Sequence, residues 1–306
     1  MLEPTELFPE VPNLYEFPSV HADMVFDQER VGRYSEAIAN VVRPGDVVAD
    51  IGTGTGLLAF LSLKAGARRV HAIERSPAIR WAKMLAETHG YADRICFYNE
   101  DSRSVELPEK VDVVVSELIG HIAFEEGMVE SLFDAKRRFL ACEGKMIPKR
   151  VELRVTPVAE REVYRDYIDR WGEVAGIDYS PLREEAIKAC YVTTLSDREL
   201  LSEPQTFFEV SFDGDKAPKL QGERVFVISR SGELNGIALW FNAELTPGVG
   251  ISSGPWTSTH WGQCFAPVSE PIRVKRGDRV SVRLIMKLRD EPKDVFSLSL
   301  DLSLEG

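Results

Sequence analysis

The stretch Asp46-Val47-Val48-Ala49-Asp50-Ile51-Gly52-Thr53-Gly54-Thr55-Gly56-Leu57 decides the fold. A Val/Ile-rich run over Asp46–Ile51 reads as a strand. Three glycines at alternate positions follow, and Leu57–Ala65 then shows helical spacing. Glycines between a strand and a helix let the backbone turn sharply and let a ligand approach the main chain. The spacing excludes two phosphate-binding loops. A dinucleotide loop places its third Gly three residues after the second, whereas Gly56 comes two after Gly54. A nucleotide P-loop ends in Gly-Lys-Ser/Thr, and none is present here.

The alternation continues outward. Arg69–Ile73, Ile95–Tyr98 and Val111–Ser116 read as further strands, Ala78–His89 as a helix, and about Glu126–Leu140 as another. Strands alternating with helices predict an α/β domain with a mostly parallel, Rossmann-like sheet. After Pro148 the period becomes two. Val151, Leu153 and Val155 alternate with polar residues, as do Phe296, Leu298, Leu300, Leu302 and Leu304, and Val225–Ile228, Ile237–Leu245 and Arg279–Met286 look similar. The second half is therefore expected to be an antiparallel, β-barrel-like domain. Arg161–Ala189, with Tyr164, Tyr167, Ile168 and Trp171, reads as a helical insertion in it. The expected divisions are a helical segment over 1–34, an α/β domain over 35–147, and the β domain over 148–306 with its arm at about 161–190.

Composition narrows the function classes. The 306 residues are 44% hydrophobic and 28% charged, ordinary for a globular chain. Thirty-seven Lys and Arg against 49 Asp and Glu give a net charge of −12, which disfavours direct nucleic-acid binding and suits a cationic partner. Cys96, Cys142, Cys190 and Cys264 are scattered and form no zinc-ligand pattern, so no metal is expected. With no secretory signal and no apolar run long enough to span a bilayer, no membrane role and a cytoplasmic location are expected.

Asp50, Gly52, Gly54 and Gly56 together resemble the S-adenosylmethionine loop of class I methyltransferases. Two further acids occur in the matching order. Glu74 ends the second strand, where a carboxylate can accept both ribose hydroxyls. Asp101 and Ser102 follow the third, where they can hold an adenine edge.

The fourth strand runs into Ser116-Glu117-Leu118-Ile119-Gly120-His121-Ile122-Ala123-Phe124-Glu125-Glu126. Two carboxylates facing one site repel unless a cation lies between them, and a guanidinium is the natural bidentate partner. Glu117 and Glu126 resemble the double-glutamate loop of the protein arginine methyltransferase family. Thr259-His260-Trp261 with Gln263, the pattern His21, Met24, Asp27, Arg30 and Tyr34, and the Trp171–Lys188 arm match that family's other motifs in order. The resemblance implies that Glu117 and Glu126 hold the substrate guanidinium while Asp27 paired with His260 removes its proton. It implies that Arg30 and Met24 meet the cofactor, that Tyr15 and Trp261 line the substrate site, and that the arm makes a homodimer. The substrate would be a protein or peptide arginine. Leu118-Ile119 stand where the family has Trp-Met, and His121 where it has Tyr. These differences keep open a methyltransferase acting on a small molecule or a non-arginine side chain.

Overall fold

The computed structural model describes residues 17–287 and 297–305. The chain divides into two compact units. Among the described residues, the first comprises 17–118, 130–149 and 244–250, and the second 119–129, 150–243, 251–287 and 297–305.

In the first unit, helices α1 (Pro18–Phe26) and α2 (Gln28–Val41) precede the sheet. The helical run passes residue 34 without a break and ends at Val41. Five parallel strands follow: β1 (Val47–Ile51), β2 (Arg69–Ile73), β3 (Ile95–Tyr98), β4 (Val111–Ser116) and β5 (Leu140–Ile147), in the spatial order β3-β2-β1-β4-β5. Helices α3 (Leu57–Ala65), α4 (Ile79–Thr88) and α5 (Met128–Arg138) alternate with them. All five residues of β1 are buried, which is why this run reads as continuous Val/Ile without alternation. Ile51 pairs with Ile73 on one side and Ser116 on the other, so three strands end level. That brings Gly52, Glu74 and Glu117, the residues following β1, β2 and β4, to the carboxyl edge. The order reverses there between β1 and β4, the usual ligand position in an open α/β sheet.

The second unit carries antiparallel sheets. One has the order β10-β6-β12-β14-β9, with β13 beside β12, and the other β11-β15-β16. Their strands are β6 (Arg150–Val158), β9 (Tyr191–Thr193), β10 (Gln205–Ser211), β11 (Gln221–Val227), β12 (Gly232–Thr246), β13 (Val249–Ser252), β14 (Gln263–Val274), β15 (Arg279–Lys287) and β16 (Ser297–Glu305). In β6, Val151, Leu153 and Val155 are buried in alternation, as their period of two requires.

The arm departs from the single helix that its aromatic spacing suggests. Arg161–Val163 and Tyr164–Asp169 form a short helical stretch, and Leu182–Ala186 another. Between them lies a hairpin of β7 (Glu173–Val174) and β8 (Ile177–Asp178). Its two-residue turn has φ +53° at Ala175 and +80° at Gly176, the double positive φ of the tightest hairpins. Tyr164 and Ile168 do not project. They are buried against Trp240 and Phe265 of the same unit, and Tyr164 donates from its hydroxyl to Val268 O at 3.1 Å. The arm's exposed apolar residues are Tyr167, Val174, Ile177, Tyr179 and Leu182. Among the described residues no helix is long and apolar enough to cross a membrane.

Candidate active site

At the carboxyl edge of the first unit, Gly52, Gly54 and Gly56 take φ values of +76°, +53° and +88°. A side chain at Gly52 would collide with Leu118, whose Cδ2 lies 2.6 Å from where a Cβ would be. Gly54 lies under His21, whose ring meets Trp81 edge-on at 5.4 Å. Glu74 braces this loop. Its Oε2 accepts Gly54 N–H at 3.0 Å and its Oε1 accepts Ser76 N–H at 2.7 Å.

Asp50 is fully buried at the end of β1. Its Oδ2 accepts Thr53 Oγ1–H at 2.6 Å, and Oδ1 has no hydrogen-bond partner. Burial pushes this carboxyl up to about 7. After β3, Asp101 accepts Arg103 Nε–H at 3.0 Å, Nη2–H at 2.8 Å and the backbone N–H at 2.9 Å. Hydrogen bonding by that guanidinium holds the carboxyl below its ordinary value. Ser102 is buried, and its carbonyl accepts Arg138 Nη2–H at 2.6 Å. Arg138 also donates to Val105 O at 2.6 Å and so staples the loop to α5. Neither arginine's role was visible in the sequence, since the pairing spans 36 residues in one case and sits on an exposed turn in the other.

The second cluster gathers Met24, Asp27, Arg30, Tyr34 and Glu117. Asp27 caps α2, with Oδ1 accepting Arg30 N–H at 2.9 Å. That fixes the first turn of α2 and with it Arg30, whose Nη1–H donates to Met24 O at 2.8 Å. Arg30 Nε–H and Nη2–H both reach Glu117 Oε2, at 2.8 and 2.5 Å. Burial works against the Arg30 charge, yet the adjacent Glu117 carboxylate raises the guanidinium above its ordinary value. Tyr34, fully buried, donates to Ser116 O at 3.1 Å and so ties α2 to the end of β4. Burial, then Glu117, pushes its phenol far up. The structure thus gives Glu117 an internal guanidinium partner and places Arg30 between Met24 and that carboxylate.

In the second unit, loop 119–127 and the segment around His260 lie together. Trp261 is buried and donates from Nε1 to Ile119 O at 2.9 Å. His121 Nδ1 lies 3.4 Å from Gly262 O, and burial lowers the imidazole's pKa. His260 lies against Trp261 with ring centroids 3.9 Å apart, and Trp261 meets Phe241 edge-on at 4.9 Å. Gln263 is buried and reaches Leu195 N–H and Ser253 O, both from its side-chain amide. Glu126 is half-buried in loop 119–127. Among the sequence-predicted residues, the structure brings Arg30, Asp27, Met24 and Glu117 together, and likewise Gly54 with Glu74 and His260 with Trp261. Tyr15 lies outside the described residues. Among the described residues no group of three His, Cys, Asp or Glu could hold a metal ion.

Comparison with known proteins bears on both units. Residues 149–306 match the family model for the arginine methyltransferase oligomerization subdomain, and residues 35–147 that for ribosomal protein L11 methyltransferase. The histone-arginine methyltransferase CARMER of Drosophila yakuba is 29% identical over 312 residues, covering 95% of this chain and 58% of that protein. The Anopheles gambiae protein of the same name is 29% identical, with 95% of this chain and 49% of that protein covered. The chain thus spans about half the length of these curated relatives. Among solved structures, the fold is similar to the Trypanosoma brucei PRMT1 enzyme–prozyme heterotetrameric complex with AdoHcy, with TM-score 0.88, 22% identity and 96% of each chain covered. It is also similar to protein arginine methyltransferase 10 of Arabidopsis thaliana, with TM-score 0.81, 24% identity, and 95% and 94% covered.

Proposed function

The chain belongs to the protein arginine methyltransferase family, as the match over residues 149–306 shows, and on that premise we propose that it transfers a methyl group from S-adenosylmethionine to a guanidino nitrogen of arginine in protein or peptide substrates. The observation that carries this reading is the chemistry at the carboxyl edge of the first sheet. Three positive-φ glycines, a carboxylate after β2 and a second carboxylate after β4 lie level there. No phosphate-binding motif accompanies them.

The residues present fit that cofactor. Gly52, Gly54 and Gly56 leave the main chain open to it, and Glu74 offers a carboxylate to ribose hydroxyls. Asp50, Asp101 and Ser102 complete the loops around it, and Met24 and Arg30 approach from α1 and α2. Bound there, S-adenosylmethionine supplies an electrophilic methyl on a sulfonium and is left as S-adenosylhomocysteine.

The chain's own groups must bind and activate arginine. A free guanidinium is protonated at any ordinary pH, and its lone pairs are delocalised into the cation. Glu117 and Glu126 hold the fork and draw its positive charge away from the nitrogen that accepts the methyl. Arg30 orients Glu117 through the two bonds to Oε2, which fixes the carboxylate before substrate arrives. The methylated nitrogen then loses a proton, for which we assign His260 with Asp27 as its carboxylate. Tyr15 and Trp261 are assigned to the substrate site.

The net charge of −12 suits a basic peptide. The family model's oligomerization subdomain and the arm's exposed Tyr167, Val174, Ile177, Tyr179 and Leu182 support a homodimer. The free cysteines fit a reducing compartment, and the cytoplasm is the location we propose. A second reading, transfer to a small molecule or another side chain, draws on Leu118, Ile119 and His121 in the double-glutamate loop. Turnover on an arginine peptide compared with its lysine-substituted twin tests between them. Arginine-dependent turnover supports the first reading, and equal turnover on both peptides overturns it.

A further inference from the structure

Loop 119–127 has an unusual interior. It folds back on itself, with Ala123 N–H donating to Gly120 O at 3.1 Å and Phe124 N–H to Ile122 O at 3.0 Å. Gly120 and Ala123 form an isolated antiparallel bridge, and Ala123 takes φ +74°. A residue with a Cβ rarely adopts that conformation, and it persists only where the surroundings over-determine it.

Glu125 lies across this turn. Its Oε1 accepts Ile122 N–H at 2.9 Å, across the base of the turn. Its carboxyl also occupies the space a side chain at Gly120 would need. A Cβ there would lie 2.1 Å from Glu125 Cδ and 2.2 and 2.5 Å from its two oxygens. Oε2 is buried without a hydrogen-bond partner. The residue as a whole is half-buried, but its carboxyl is turned inward against Gly120, and burial raises its pKa. An acid at this depth, one residue before Glu126, is a costly choice for mere filling, because an apolar side chain would leave no orphaned oxygen.

We propose that Glu125 is a positioning residue for the double-glutamate loop: its carboxyl packs on Gly120, ties down Ile122 and sets the backbone at Glu126. It acts on substrate only through Glu126, so the inference rests on the assignment of Glu126 above. Gly120 and Glu125 form one device, the glycine leaving the room that the carboxyl fills.

The test uses the full chain as wild type, Glu125→Ala, Glu125→Gln, Gly120→Ala and the double variant Gly120→Ala/Glu125→Ala. Two readouts are taken: hydrogen exchange at the Ile122 amide, which needs no activity, and kcat and KM on an arginine peptide at saturating S-adenosylmethionine. Glu125→Ala is expected to lose Ile122 protection and at least about tenfold in kcat, since small misplacements of a reacting group are costly. Its cofactor affinity should not change. Glu125→Gln keeps the acceptor and the volume and should stay within about threefold of wild type. Gly120→Ala should mimic Glu125→Ala by expelling the carboxyl. The double variant should be no worse than either single, because the added methyl enters vacated space. The proposal is overturned if Glu125→Ala keeps its kcat, if Glu125→Gln is as damaged as Glu125→Ala, or if the two alanine substitutions add independently. If Glu125→Ala does not fold, the comparison of Gly120→Ala with Glu125→Gln decides. A wild type that methylates no arginine would refute the assignment of Glu126 instead. The exchange pattern across the five proteins would then still show whether Glu125 holds the loop.

Discussion

Breaking the Arg30–Glu117 pair has a calculable cost. Both side chains are nearly buried, with 9% and 6% of their surfaces exposed, and two N–H groups of one guanidinium converge on a single carboxylate oxygen. Removing one partner of such a pair strands the other charge in a low-dielectric site, at about 3–5 kcal/mol. Glu117→Gln keeps shape and one acceptor oxygen, so its expected cost is about 3 kcal/mol, near the lower end. Arg30→Met removes both of these bonds to the Glu117 carboxylate and should cost about as much. The double variant removes both charges and leaves only a buried amide, at about 1–3 kcal/mol. The two substitutions should therefore be strongly sub-additive, with a coupling of about 3–5 kcal/mol. Urea unfolding of the cofactor-free protein, followed by circular dichroism, with hydrogen exchange at β4 to isolate the first unit, measures this. Costs that simply add in the double variant would refute the pairing, and with it the idea that Glu117 is oriented before substrate binds.

Glu74→Ala should weaken S-adenosylmethionine binding at least tenfold by calorimetry, because 1.4 kcal/mol is one decade and each charge-assisted ribose bond is worth about 1.5–3 kcal/mol; unchanged affinity in a folded variant would remove Glu74 from the cofactor site. Asp50 has a folded pKa raised from 3.8 to about 7, so the native state binds the extra proton within that window and stability falls as pH rises through it. Asp50→Asn should abolish that fall, gaining on wild type by up to about 4 kcal/mol between pH 4 and pH 7 in the cofactor-free protein; parallel pH curves for the two proteins would contradict it. Light scattering should return a mass near twice 34.4 kDa, with Ile177→Glu on the exposed arm returning a single chain's mass. A monomeric wild type at micromolar concentration would exclude the dimer.

Much of the first unit was legible because its signals are local. Buried parallel strands show as Val/Ile runs, and Gly52, Gly54 and Gly56 mark the turn at the end of β1. Strand β5 was not legible. Its sequence Leu-Ala-Cys-Glu-Gly-Lys-Met-Ile buries only Met146 and Ile147, so neither a run nor an alternation appears. In β14, Pro267 and Pro271 interrupt the strand signal. The arm misled for a different reason. Tyr164, Tyr167, Ile168 and Trp171 have helical spacing, but Tyr164 and Ile168 serve the sheet beneath while Ala175-Gly176 turns a hairpin. That Ala-Gly pair between Val174 and Ile177 was the available signal.

The candidate site residues were named from their order along the chain, whereas the partners the structure gives them were not legible there. Arg30 sits 87 positions from Glu117, and no spacing rule links them. The Gly120–Glu125 contact sits in a turn with a left-handed alanine that no propensity foretells.

On the proposed function, arginine receives the methyl group. S-adenosylmethionine labelled in its methyl, incubated with the protein and a Gly/Arg-rich peptide, followed by acid hydrolysis and amino-acid analysis, tests it directly. The label should be recovered as methylated arginine and be lost with Glu117→Gln. Label recovered in another amino acid or in a small molecule, with none in arginine, would contradict it.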